Sequence, residues 1–247
     1  MLKKLAVVAG ITFAVGAAAL AATHLGDGDD TGFVPSGPNA KAILKCEAGV
    51  SKAAGKYGAA IVTCHNKAAS AGLKTLTPAD DTACESTALG KYNASVAKLT
   101  GCPPCLDPAA IAANAKSQLD TAANALFFCD KTSGIALSDG DDSGFVPASK
   151  TTAKCQEGVA KNVAKLEGAI VTCHAKSAGA QLAAKSFDEE GCETTAEGKF
   201  NTAIGKLTGC PTCLSGLLPT LPGLVEGGVD ASSGPTYCAS PSGAFID

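Results

Sequence analysis

The sequence contains no arginine and no tryptophan, and it has only three tyrosines. Recognition of nucleic acid and forked binding of phosphate favour arginine, and stacking on bases requires aromatic side chains. The Gly-x-Ser-x-Gly, His-Glu-x-x-His and phosphate-binding glycine motifs are also absent. We therefore expect a protein that binds no nucleic acid and is not an enzyme.

Long apolar runs are absent except at the N-terminus. Residues 3 and 4 are lysines, residues 5–18 are almost wholly apolar, and residues 19–21 have the small-x-small pattern of a cleavage site. This pattern predicts a signal peptide over residues 1–21, with an uncleaved membrane anchor as the alternative. After cleavage the chain would keep no stable membrane span, and its formal net charge would move from −3 to −5 because two lysines are lost. We expect a secreted or periplasmic protein.

Twelve cysteines form two sets of six with nearly the same spacing. Export favours disulfides as their fate. The flanking sequence repeats as well, with an offset of 108 or 109 residues. The chain is therefore predicted to hold two helical units, residues 22–138 and 139–247. The sets are Cys46, Cys64, Cys84, Cys102, Cys105, Cys129 and Cys155, Cys173, Cys192, Cys210, Cys213, Cys238.

In each unit, two pairs of cysteines are separated by eighteen residues. Eighteen residues make five helical turns, so both cysteines of a pair lie on one helix face, about 27 Å apart. In an antiparallel hairpin, residue numbers rise along one helix where they fall along the other. All pairs of residues that face each other therefore have the same sum of residue numbers, and two pairs of cysteines in each unit meet this condition. This register predicts an inner disulfide near the hairpin loop and an outer one at the open end. The predicted pairs are Cys64–Cys84 and Cys46–Cys102, then Cys173–Cys192 and Cys155–Cys210.

The two remaining cysteines of each unit are expected to join a third segment to its own hairpin, as Cys105–Cys129 and Cys213–Cys238. Six cysteines allow fifteen connectivities, and Cys105 could replace Cys102 as the partner of Cys46. The predicted fold is all-α, with two tandem disulfide-stapled antiparallel helical hairpins, each with an additional short helix or irregular segment. The second helix of each hairpin is expected to be capped by Thr77 or Ser186. Prolines and glycines predict at most a short, poorly formed third helix in the second unit.

Two alternatives to disulfides use the same residues. Four thiolates at the open end, Cys46, Cys102, Cys105 and Cys129, would make a zinc site. Cys64-His65 and Cys173-His174 match the end of the haem-attachment motif, although the first cysteine of that motif is missing. The simplest interpretation of His65 and His174 is a polar residue that packs on the hairpin loop.

An acidic leader precedes each hairpin and matches the first half of an EF-hand-type calcium loop. The position that normally carries a bidentate glutamate is Pro38 in one leader and Lys150 in the other. An acidic linker without specific calcium binding is therefore the favoured interpretation. The calcium candidates are Asp27, Asp29, Thr31, Asp139, Asp141 and Ser143.

The sequence as a whole indicates an exported, non-enzymatic binding or structural module without a cofactor. Its partner, an unknown protein or a component of the cell envelope, is not visible in the sequence. A metal- or haem-carrying protein is the first alternative. A secreted hydrolase inhibitor is the second, with residues 69–80 and 178–188 as candidate loops.

Overall fold

The structure is a computed structural model that describes residues 35, 37–120, 127–133, 144–232 and 234–238. It is mostly helical, as predicted, with one two-stranded antiparallel ribbon. Among these residues, no helix is both long enough and apolar enough to cross a membrane. The elements in order are α1 (Ala40–Thr75), α2 (Thr82–Val96), α3 (Pro108–Leu119), β1 (Lys131–Ser133), β2 (Val146–Pro147), α4 (Lys150–Leu182), α5 (Glu189–Ile204), α6 (Thr212–Ser215), a 3-10 turn (Leu218–Thr220), α7 (Leu221–Ser232) and a second 3-10 turn (Gly234–Tyr237).

Helices α1 and α2 form the first hairpin, and α4 and α5 form the second. Apolar residues spaced by threes and fours along α1 and α4 predict one buried face on each helix. The structure buries that face, including both cysteines of each long helix. The four hairpin disulfides of the structure are the predicted ones. Their Cα–Cα distances are 5.2 Å for Cys46–Cys102, 5.6 Å for Cys64–Cys84, 5.1 Å for Cys155–Cys210 and 5.8 Å for Cys173–Cys192.

In each hairpin, a leucine side chain fills the space beside a glycine near the outer disulfide. A Cβ atom added to Gly49 would lie 2.7 Å from the side chain of Leu99. A Cβ atom added to Gly158, the equivalent residue of the second hairpin, would lie 2.7 Å from that of Leu207. A methyl group at either position would displace the end of the facing leucine side chain from its place in the hairpin.

The start of the second helix differs from the prediction in both hairpins. Helix α2 begins after Asp81 and helix α5 begins after Asp188. Thr77 donates its hydroxyl hydrogen to Thr75 Oγ1 at 3.0 Å, so its side chain bonds to the last residue of α1 and does not cap α2. The Asp188 carboxylate accepts from the backbone N–H of Gly191 at 2.9 Å and takes the capping role expected of Ser186.

A full third helix is present in both halves of the chain. Asp107 caps α3 by accepting from two backbone N–H groups in its first turn. The prediction of a poor helix in the second unit is wrong, because α7 spans twelve residues. Pro222 lies in its first turn, where a missing N–H costs nothing. Packing against α4 and α5 outweighs the low helix propensity of Gly227 and Gly228. The residues that pack there are Leu221, Val225 and Val229.

The last two disulfides also differ from the prediction. Cys105 is bonded to Cys238, with Cα atoms 5.7 Å apart, and Cys129 is bonded to Cys213, with Cα atoms 6.3 Å apart. The predicted Cys105–Cys129 and Cys213–Cys238 bonds are therefore wrong. The observed pairs form a reciprocal exchange, in which each third segment is bonded to the other hairpin.

The direction of the third helices explains this exchange. Helix α3 begins near the outer disulfide of its own hairpin and rises about 18 Å over twelve residues, which brings its end near the inner disulfide. Helices α1 and α4 pack antiparallel: Leu44 lies in one buried cluster with Ala178, and Ser70 is hydrogen-bonded to Glu157. The inner end of one hairpin therefore lies beside the outer end of the other. A chain that leaves the third helix there meets a cysteine of the opposite hairpin.

Candidate metal centre

His65 lies at the centre of a buried cluster of carboxylates. Its Nε2 atom is 2.9 Å from Glu85 Oε1, 3.3 Å from Asp120 Oδ1 and 3.7 Å from Asp81 Oδ2. All four side chains are at most 3% exposed. Three helices supply the cluster: His65 follows the inner cysteine of α1, Glu85 follows the inner cysteine of α2, Asp81 precedes α2, and Asp120 ends α3.

His174 is the centre of an equivalent cluster in the second hairpin. Its Nε2 atom is 3.0 Å from Glu193 Oε1, 3.1 Å from Asp230 Oδ1 and 3.8 Å from Glu189 Oε1. The histidine is 2% exposed, and the three carboxylates are between 3% and 8% exposed. Both hairpins therefore hold one imidazole and three carboxylates in a similar arrangement.

The two clusters differ at one position of the third helix. In the first, Lys116 stands one helical turn before Asp120, and its ammonium group contacts the carboxylates of both Asp120 and Glu85. In the second, Glu226 stands one turn before Asp230 and forms a hydrogen bond with Glu193. A cation of the first cluster is thus replaced by a further acid in the second.

Charge is nearly balanced in the first cluster. Burial alone lowers the pKa of His65, but hydrogen bonds with Asp120 and Glu85 and the charge of Asp81 outweigh burial and raise that pKa to about 9. Burial alone raises the pKa of Asp120, and its bonds with His65 and Lys116 reverse this and lower it. Two cations therefore face three carboxylates.

The second cluster carries an excess of negative charge. Burial alone lowers the pKa of His174, but hydrogen bonds with Asp230 and Glu193 raise it to about 9. The pKa of Glu226 is raised to about 8, first by burial, then by its hydrogen bond with Glu193 and by the charges of neighbouring carboxylates. One imidazolium here faces three carboxylates and a fourth acid that resists ionisation.

The geometry of both clusters fits the ligand set of a divalent transition-metal ion. His65, Glu85 and Asp120, and likewise His174, Glu193 and Asp230, each offer one ligand atom, and these atoms lie within 4.8 Å of one another. Two ligands on one tetrahedral zinc ion, each about 2.1 Å from the metal, lie about 3.4 Å apart. The observed N–O distances of 3.0, 3.1 and 3.8 Å around His174 bracket that value.

The chemistry of the central nitrogen also favours a cation. Nε2 of an imidazole carries at most one hydrogen, so it cannot donate to three oxygens at once. A metal ion held between the nitrogen and the oxygens would satisfy all of them. Imidazole with carboxylates is a ligand set that suits zinc, manganese and iron(II).

Several predicted site residues are placed differently from the expectation. His65 and His174 do not simply pack on the hairpin loop but are enclosed by carboxylates. Cys64 and Cys173 are bonded within disulfides, so neither has a thiol for a thioether bond to haem. The thiolate zinc site is likewise excluded, since all four of its cysteines are in disulfides: Cys46, Cys102, Cys105 and Cys129.

The calcium candidates Asp27, Asp29, Thr31, Asp139, Asp141 and Ser143 lie outside the described residues. Phe145, which follows the second leader, is buried against Phe128, with ring centroids 5.5 Å apart. The candidate inhibitor loops are shorter than expected, because their first parts belong to the ends of α1 and α4.

The carboxylates of the two clusters were not among the sequence-based candidates. The sequence nevertheless contains a local signal for part of each cluster. A disulfide brings the residues that follow its two cysteines close together. Cys64-His65 opposite Cys84-Glu85, repeated as Cys173-His174 opposite Cys192-Glu193, therefore indicates two His–Glu pairs. Asp120 and Asp230 come from the third helices, and no local signal identifies them.

No family model matches the sequence, and no curated protein and no solved structure matches it either.

Proposed function

We propose that this protein is an exported, non-enzymatic module that binds a divalent metal ion in a buried histidine–carboxylate cluster. The observation that carries the proposal is the convergence of several carboxylates from different segments on one buried imidazole nitrogen. Burying several carboxylates together is costly unless a cation compensates them. A divalent ion provides that compensation and also uses the oxygens as ligands.

A binding role is supported by the enclosure of the cluster. The ligand side chains around His174 are at most 8% exposed. Catalytic metal sites keep a position open to substrate or water, whereas sites with a structural or storage role are closed by protein ligands. The enclosed cluster therefore fits retention of an ion better than turnover of a substrate.

A secreted or periplasmic location is part of the same proposal. Six disulfides fit an oxidising compartment, and they include all twelve cysteines of the chain. Divalent zinc and manganese neither form nor reduce disulfides, so a histidine–carboxylate site can operate in such a compartment.

Equilibrium dialysis tests the proposal directly. The untagged, fully oxidised protein is first treated with EDTA and then dialysed against micromolar zinc or manganese, and the retained metal is measured by mass spectrometry. We expect stoichiometric retention of at least one of these ions. Retention no greater than that of a protein without such a cluster would overturn the proposal.

A further inference from the structure

The two clusters share every element except the residue one turn before the aspartate of the third helix. Lys116 and Glu226 occupy this equivalent position on α3 and α7. Their neighbours match: a glutamate follows the inner cysteine of the second helix, and an aspartate stands four residues further along the third helix. The two clusters thus differ in the sign of the charge at one equivalent position.

Lys116 already supplies a cation to the first cluster. Its ammonium group contacts Glu85 Oε2 and Asp120 Oδ2, while the other oxygen of each carboxylate faces His65. A metal ion on these two carboxylates would have to displace a lysine that is only 32% exposed. The incoming ion would also face a like charge within a few ångströms, where the effective dielectric constant is low.

The second cluster carries the acid Glu226 at the position of Lys116. Glu226 instead adds an oxygen ligand, and oxygens of Glu190, Glu193 and Glu226 lie within 4.8 Å of one another. Together with His174 and Asp230, Glu193 links this outer group of acids to the buried one. A divalent ion here would meet one imidazole and up to four carboxylates, and the lysine that contacts the first cluster is replaced by an acid.

We propose that the chain binds one divalent transition-metal ion, in the second cluster, and that Lys116 is the permanent cation of the first. His174, Glu193 and Asp230 are the inner ligands, and Glu226 is an additional ligand that the first cluster lacks. This inference rests on the proposed function, because it assigns the stoichiometry and the position of the bound ion.

Reciprocal exchange of the two residues provides the test. Isothermal titration with zinc should show one ion per wild-type chain. Lys116→Glu should raise the number to two, and Glu226→Lys should weaken binding by more than about 100-fold through loss of a ligand and addition of a like charge. The double variant has the net charge of the wild type and should again bind one ion, now in the first cluster.

The position of the ion can be followed separately by NMR. The chain has only three histidines, so the imidazole signals of His65 and His174 can be assigned with single His→Gln variants. Zinc should shift the signal of His174 in the wild type and that of His65 in the double variant. Each variant is compared only after thiol counting and circular dichroism show intact disulfides and unchanged helix content.

The possible outcomes separate the two proposals. If the wild type binds neither zinc nor manganese, the proposed function and this inference are both overturned. Two ions per wild-type chain, or a shift of His65 in the wild type, would support metal binding but overturn the assignment to the second cluster. A folded Lys116→Glu variant that still binds one ion would overturn the role of Lys116.

Discussion

Glu47 has a buried carboxyl group whose ionisation the fold opposes. The side chain is 0% exposed, and neither of its oxygens has a hydrogen-bond partner among the described residues. Gln156 occupies the equivalent position of the second hairpin, where its Nε2 donates to the carbonyl of Asp130 at 3.2 Å. The second hairpin thus carries a neutral amide where the first carries an acid. We predict that Glu47→Gln stabilises the protein in a pH-dependent way.

The expected size follows from the pKa of this carboxyl group. Burial raises the pKa of Glu47 from 4.5 to about 7. Because the folded-state pKa is raised, the fold favours the protonated form. The corresponding stability is present at acidic pH and is lost as pH rises from 4.5 through 7. The loss is about 1.4 kcal/mol per pH unit in this interval and reaches about 3 kcal/mol at pH 8. Glutamine does not ionise, so the Glu47→Gln variant should not lose this stability.

Urea unfolding of the oxidised protein at two pH values measures this effect. At pH 5 the wild type and Glu47→Gln should differ by less than about 1 kcal/mol, whereas at pH 8 the variant should be more stable by about 2–3 kcal/mol. An equal difference at both pH values, or none, would refute the reasoning. Gln156→Glu is the matched control, and it should lower stability at pH 8 much more than at pH 5.

Three further predictions concern other parts of the structure. The wild type should be more stable than His65→Gln, and this difference should be largest below pH 6.5 and should decline as pH rises through about 9. Thermal unfolding of both proteins at pH 7 and 10 measures the decline. A non-reducing peptide map should recover the Cys105–Cys238 bond, and replacing both cysteines by serine should cost about 3–5 kcal/mol in urea unfolding; a peptide joining Cys105 to Cys129 would contradict the exchange. Both Gly158→Ala and Gly198→Ala gain helix propensity, but only the methyl group at residue 158 must displace a leucine side chain, so Gly158→Ala should be less stable than Gly198→Ala by about 1–2 kcal/mol in urea unfolding; equal stability of the two variants would contradict this.

The hairpins could be predicted from the sequence because their signals are local. Helical periodicity and the eighteen-residue spacing both depend on the geometry of a single helix. Equal sums of residue numbers then leave one antiparallel register for the inner and outer disulfides. A length difference of one residue between the hairpins lies in the loop, where it does not disturb that register.

The exchanged disulfides could not be predicted in the same way. Pairing of Cys105 with Cys129 or with Cys238 gives equally plausible sequence patterns, because the units are near copies. The choice depends on the antiparallel packing of α1 on α4 and on the length of the third helices. The length of α7 could not be predicted, because tertiary packing overrides the low helix propensity of its glycines. The aspartates of the two clusters were missed for the same reason, since the third helix brings each of them to its histidine.

The inner disulfides and the clusters are linked by position. Cys64–Cys84 and Cys173–Cys192 each join the residues directly before a histidine and a glutamate of a cluster. Carboxylates held close together repel one another and would separate in a flexible chain. A covalent bond next to each His–Glu pair limits that separation. The disulfide therefore offsets part of the electrostatic repulsion that opposes bringing the ligands together. Metal affinity at His174 should therefore depend on oxidation of Cys173 and Cys192 even though neither sulfur is a ligand.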